Sequence, residues 1–241
     1  MKKTILFIQS IFICMLFSTA FSAPRMTLSE SAFNFGYAPQ HSKISHEFWI
    51  YSTGDDSLKI INVVPGCSCT KAPLEKKDIA VGDSTKIEII FSTKSYKSHI
   101  TKRPKIETNE GPPDKRIQIL TNVVSRPDST FPLVMQPYKL DISQFGEKLR
   151  DEIEFKIINV SDQPLELSMV AYPKELFHVI LPASVQAGQT ITCSLKLNKD
   201  AKESEFEKSF TIETSDEDHS RFTIPVKRAL RDATTANATG H

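Results

Sequence analysis

Glycine is scarce in this sequence, eight in 241 residues, and none of the eight falls in a Gly-x-Ser-x-Gly elbow or a phosphate-cradling loop. Those are the settings that nucleophilic hydrolases and nucleotide-binding proteins need. Charge of one sign is lacking too. Thirty Lys and Arg stand against 29 Asp and Glu, a net charge of +1, which argues against a general affinity for nucleic acid or anionic membrane. There is no second cysteine pair and no His-x-x-x-His run to complete a four-ligand zinc site, and the acidic runs at Glu203, Glu205, Glu207 and at Asp216, Glu217, Asp218 lack calcium-loop spacing. Helical periodicity is scarce. Nothing here amounts to an enzyme, and no cofactor is implied.

What is present begins with "MKKTILFIQSIFICMLFSTAFSAPRM". Lys2 and Lys3 precede an apolar stretch from Ile5 to about Phe17, and Ala20 and Ser22 meet the small-residue rule for cleavage after Ser22. The stretch is broken by Gln9 and Ser10 and falls short of the roughly 20 residues a span needs. Residues 1–22 therefore read as a signal peptide, and the mature chain is expected to be periplasmic or secreted. No later stretch is long enough to cross a bilayer, so no integral span is expected after cleavage.

Beyond the leader, apolar residues alternate with polar ones at period two, the mark of half-buried strands. "SHEFWIYS" puts Phe48 and Ile50 on one face, and "AVGDSTKIEIIFST" does the same for Ile87, Ile89 and Phe91. Fourteen prolines suit short strands joined by firm turns. The second half repeats the plan. "EFWIYSTGDDSLKI" parallels "EFKIINVSDQPLEL", matching Phe48, Ile50 and Leu58 with Phe155, Ile157 and Leu165. "AVGDSTKIEIIF" parallels "QAGQTITCSLKL", "KIETN" parallels "TIETS", and "FNFG" is echoed by "SQFG". A steady offset of about 105 to 110 residues implies two units in one chain. The expected fold class is all-β: two tandem antiparallel β-sandwiches at 31–124 and 137–229, joined by a proline-rich linker at 125–136 and followed by a flexible tail at 230–241. Expected core positions are Phe35, Phe48, Ile50, Ile87, Ile89, Phe155, Ile157, Cys193 and Leu195.

"FNFG", "EFWIYSTGDDSLKIINVVPGCSCT", "VGDSTKIEIIFST" and "IETNEGPP", in that order, resemble the bacterial DUF1573 family, which is similar to the immunoglobulin-like ASPM-SPD-2-Hydin modules and to PapD-like sandwiches. The match covers most of residues 31–124 and is weaker over 137–229. The resemblance implies an immunoglobulin-like sandwich in an exported protein and brings no known activity. Ser68 stands where the family pattern implies glycine.

Cys67 and Cys69 form the one motif with chemical promise. The second unit reads "VAYPKELFHV" in the same place, so folding does not demand the pair. Fully extended, the two side chains share one face at a separation too large for a disulfide; a turn at Gly66 would allow a bond. Two thiolates on one side of a loop also suit Cu(I) or Zn, with His41, His46 and His99 as auxiliary ligands if folding brings them near. The pair thus reads as free or disulfide-bonded cysteines with a local structural role, as a redox or intermolecular thiol site, or as a soft-metal site. Cys193 aligns with Ile87 and reads as a small buried apolar residue. Trp49 reads as a core or inter-sheet aromatic. The basic run around Lys94, Lys97, Lys102, Arg103 and Lys105 reads as a solvated hairpin guarding a sheet edge.

By unit, residues 31–126 carry 14 basic and 10 acidic side chains, net +4, while residues 137–229 carry 12 and 16, net −4. The halves are expected to attract each other, within one molecule or head to tail between molecules. The functional expectation is a non-catalytic binding or scaffold module of the cell envelope with a protein partner, and the alternative is a thiol or metal-handling protein using Cys67 and Cys69.

Overall fold

The structure is a computed structural model that describes residues 22–146 and 149–231. The leader expected at 1–22 lies outside the described residues except for Ser22, and so does the tail beyond Arg231.

The first half contributes β1 (Met26–Leu28), β2 (Ala32–Pro39), β3 (Lys43–Ser52), β4 (Leu58–Val64), β5 (Thr70–Lys71), β6 (Asp78–Ile79), β7 (Ser84–Ser92), β8 (Ser98–Lys102), β9 (Lys105–Thr108), β10 (Lys115–Arg116) and β11 (Gln118–Val124). The second contributes β12 (Leu133–Gln136), β13 (Leu140–Asp141), β14 (Gln144–Phe145), β15 (Glu152–Asn159), β16 (Leu165–Ala171), β17 (Phe177–Ile180), β18 (Ser184–Val185), β19 (Thr190–Leu197), β20 (Phe206–Thr214), β21 (Arg221–Arg228) and β22 (Leu230–Arg231). Period-two patterning dictates these strands. Along β7, Thr85, Ile87, Ile89 and Phe91 are buried while the residues between them are half-exposed, because successive side chains point to opposite faces.

The chain is nearly all β, and its sheets are mostly antiparallel. One sheet of the first half runs β1-β3-β7-β5, and β12-β15-β19-β17 repeats that order in the second half. Phe48 faces Ile87 across β3 and β7, and Phe155 faces Cys193 across β15 and β19. Facing sheets close over two separate apolar cores. One is built on Phe35, Phe48, Ile50, Ile87, Ile89 and Phe91, the other on Phe155, Ile157, Cys193, Leu195, Phe210 and Phe222. All nine positions expected in the core are buried.

The halves are not beads on a string. β2 pairs with β11 on one side and, in parallel through Tyr37 and Phe222, with β21 on the other. This joins strands from both halves into one eight-stranded sheet. Gly36 makes the approach possible. Its φ is +62°, and a Cβ there would collide with the Arg221 backbone. Thr223 Oγ1 donates to Phe35 O at 2.6 Å and lies 2.8 Å from Thr211 Oγ1. The Tyr37 and Phe222 rings stack at 5.4 Å, and Tyr37 packs on the second core. Ser45 N donates to Ser209 Oγ, which donates back to Ser45 O.

Two expected boundaries move. Part of the segment expected as a linker, 125–136, is strand β12, with Leu133 and Met135 fully buried. Pro132 and Pro137 flank this strand rather than enter it, so its backbone donors remain available to pair with β15. The expected tail begins instead with β22, which pairs in parallel with β14.

Candidate functional site

At the end of β4 the chain passes Pro65 and turns at Gly66, whose φ of +86° is left-handed and whose Cβ would meet nothing. Glycine is therefore needed here for conformation, not for space. Thr70 N closes the turn onto Cys67 O at 3.2 Å. The turn brings Cys67 and Cys69 together as a disulfide, the outcome that a turn at Gly66 allows. Cys69 is buried in the first core, with Cys67 half-buried against it. Tyr96 Oη donates to Cys69 Sγ at 3.6 Å, and Thr70 Oγ1 lies 3.3 Å from Cys67 Sγ. Ser92 N holds Cys69 O at 2.8 Å. Lys102 Nζ sits 4.8 Å above the Tyr96 ring.

The histidines named as auxiliary ligands are engaged elsewhere. His41 occupies a left-handed turn with its N–H on Lys94 O. His46 stacks on Phe33 at 3.6 Å and pairs with Glu30 at 2.7 Å. His99 lies exposed on β8. Among the described residues no three His, Cys, Asp or Glu side chains converge, and sulfurs bonded to each other are not thiolate ligands. Cys193 is free and buried, and burial pushes its thiol up to about 11.

A second place was not anticipated. Trp49, expected in the core or between sheets, is 38% exposed. The reason is alternation: Phe48 and Ile50 point inward, so the residue between them points out. It lines a groove of about 330 Å³ between the halves, whose walls are the outer faces of β3 and β7 on one side and the Met169–Lys174 and Lys208–Ser209 stretches on the other. Trp49 stacks with Tyr51 at 6.5 Å, and Lys86 Nζ lies 5.1 Å over its ring while pairing with Glu47 at 3.1 Å. On the far wall Lys174 Nζ lies 5.9 Å over Tyr172. Glu88 and Lys208 pair across the groove at 2.6 Å and are both largely buried. Burial lowers the His46 imidazole below its ordinary 6.5, against the opposing pull of Glu30. A signal for Trp49 did exist: in the aligned repeats its place is taken by Lys156, so the fold does not require tryptophan there.

Antiparallel sheets closing on apolar cores place the chain in the all-β, immunoglobulin-like class. Residues 26–123 match the family described as "Protein of unknown function (DUF1573)". No curated protein matches the chain. Among solved structures it is similar to a protein of unknown function from Porphyromonas gingivalis W83, at 10% identity over 85% of this chain and 99% of that one, with a TM-score of 0.35. It is also similar to the ASH / PapD-like domain of human CEP192 (8% identity, 44% and 88% covered, TM-score 0.35). A further similarity is to the Vibrio cholerae VesB protease (13% identity, 42% and 32% covered, TM-score 0.35). Among the described residues no helix is long and apolar enough to cross a membrane.

Proposed function

We propose that this chain is an exported, non-catalytic binding module of the cell envelope, built from two tandem immunoglobulin-like units fixed to each other. The observation that carries the reading is the eight-stranded sheet running through both halves. It gives a stiff body whose outermost strand, β8, exposes Ser98, His99 and Thr101, and an edge strand offers backbone groups to an incoming segment of a protein partner. The leader-like sequence at residues 1–22 supports export. Ion pairs of both polarities cross between the halves: Lys43 of the first pairs with Glu207 of the second, and Lys208 of the second with Glu88 of the first. The test is cross-linking of the full chain in its native envelope from a photoreactive residue at Thr101. A discrete protein adduct is the expected result. Recovery of the uncoupled chain alone would remove the reading.

A second reading, thiol exchange at Cys67–Cys69, is favoured by the half-exposed position of Cys67, one of the two sulfurs of a disulfide that spans a single residue. Thiol titration of the native protein with and without a mild dithiol decides it. A bond that resists the dithiol in the folded protein rules exchange out.

A further inference from the structure

We infer that the groove between the halves is a binding site for a neutral saccharide, with Trp49 and Tyr172 as ring platforms and Glu47, Lys174 and Lys208 as hydroxyl partners. The proposal rests on the binding-module reading only in placing the chain where glycans occur; the groove's own chemistry carries the rest.

The aromatic walls come first. A large ring at 38% exposure in a cleft, with Tyr172 on the opposite wall, is an apolar face held next to polar groups. Such amphipathic rings are suited to ligands that have an apolar face and a wet rim. A pyranose is such a ligand, with axial C–H groups on one face and hydroxyls around the edge.

Charge narrows the class. The lining carries two acids, Glu47 and Glu88, and two lysines, Lys174 and Lys208, and Glu88 is already paired with Lys208 and Glu47 with Lys86. A groove without net charge does not favour an anion or a cation. Carboxylates that are paired still hold spare lone pairs for hydroxyl donors. The lowered imidazole of His46 keeps that wall neutral as well.

Hydrogen bonding argues against a peptide on β3. Along the groove its edge is already taken, with Ser45 N and O both bonded to Ser209 Oγ and Trp49 N and O bonded to Ser29 Oγ and Ser29 N, so little of that edge is left for an extended segment to add by backbone pairing. About 330 Å³ is at the small end of ligand sites, which suits a short stretch of sugar rings.

The chain has a single tryptophan, so its intrinsic fluorescence reports on this groove alone. The experiment titrates the full chain with cellotetraose, chitotetraose and maltotetraose up to about 10 mM, well past a millimolar dissociation constant, with a neutral tetrapeptide in parallel. The expected result is a saturable emission change with at least one saccharide and none with the peptide. Glu47→Gln and Tyr172→Ala should each weaken binding by about tenfold or more, with circular dichroism showing that both variants stay folded. Flat titrations with all three saccharides would overturn the proposal. So would a response to the peptide instead, or affinity unchanged in Glu47→Gln, a half-exposed position whose substitution leaves packing intact. A flat saccharide titration leaves the cross-linking result at β8 standing, so the two readings fail separately.

Discussion

Cys193 lies opposite Phe155 in a paired strand, 2% exposed, with its thiol raised to about 11. Reactivity belongs to the thiolate and requires access, so this sulfur is inert in the folded state. A chain beginning at Ala23 is expected to show no free thiol to an aromatic disulfide reagent under native conditions and one after unfolding without reductant, because Cys67 and Cys69 are bonded to each other. His46 gives a prediction in pH. Burial holds its folded-state pKa below 6.5, so the unfolded chain takes up the proton first as pH falls. Stability from this group is intact above the unfolded value and declines as pH drops through it toward the folded one. His46→Gln should lose less of its thermal midpoint than the unaltered protein between about pH 7 and about pH 5, measured by calorimetry. Alternation alone implied the inward positions around these residues. In sequence Trp49 reads as a core or inter-sheet aromatic although it alternates with Phe48 and Ile50; what the sequence did not show is the second half standing across from it.

At the scale of strands, the seam between β2 and β21 is held by few groups, and each of them matters. Thr223 is fully buried and its hydroxyl satisfies Phe35 O. Thr223→Val is nearly the same shape but leaves that carbonyl without its donor, at a cost of roughly 1–3 kcal/mol, readable as a lower denaturant midpoint. Arg228 is the other concentrated position. It is 1% exposed, and its guanidinium donates to Ile142 O, Arg150 O and Lys202 O. It thereby clamps three separate stretches onto β21. Arg228→Lys should lose about 3 kcal/mol despite keeping the charge, because one ammonium cannot replace a planar fork of donors. Neither role was legible in one dimension. "RFTIPVKRA" reads as an ordinary closing strand, and its partners lie far away in sequence, where periodicity carries no information. The same limit hid β12: four residues between prolines look like a connection until β15 lies beside them.

On the scale of the whole molecule, two cores that share a sheet should unfold as one. Calorimetry is expected to show a single transition in the unaltered protein. Gly36→Ala tests the joint directly, since a left-handed φ costs an L-residue roughly 1–3 kcal/mol and the added carbon also meets the Arg221 backbone. The variant should separate the two halves into distinct transitions. A single transition at an unchanged midpoint would mean that the seam does not couple them.

The seam also orders events in time. The strand that covers one side of β2 begins at Arg221, and so leaves the ribosome after every strand of the first half. Until that strand arrives, the edge of β2 around Phe35 and Tyr37 lacks its cover and is open to another chain. Prematurely terminated products ending before that residue are thus the species most prone to clump, and protection of that edge by a chaperone is needed only for the interval it takes to deliver β21.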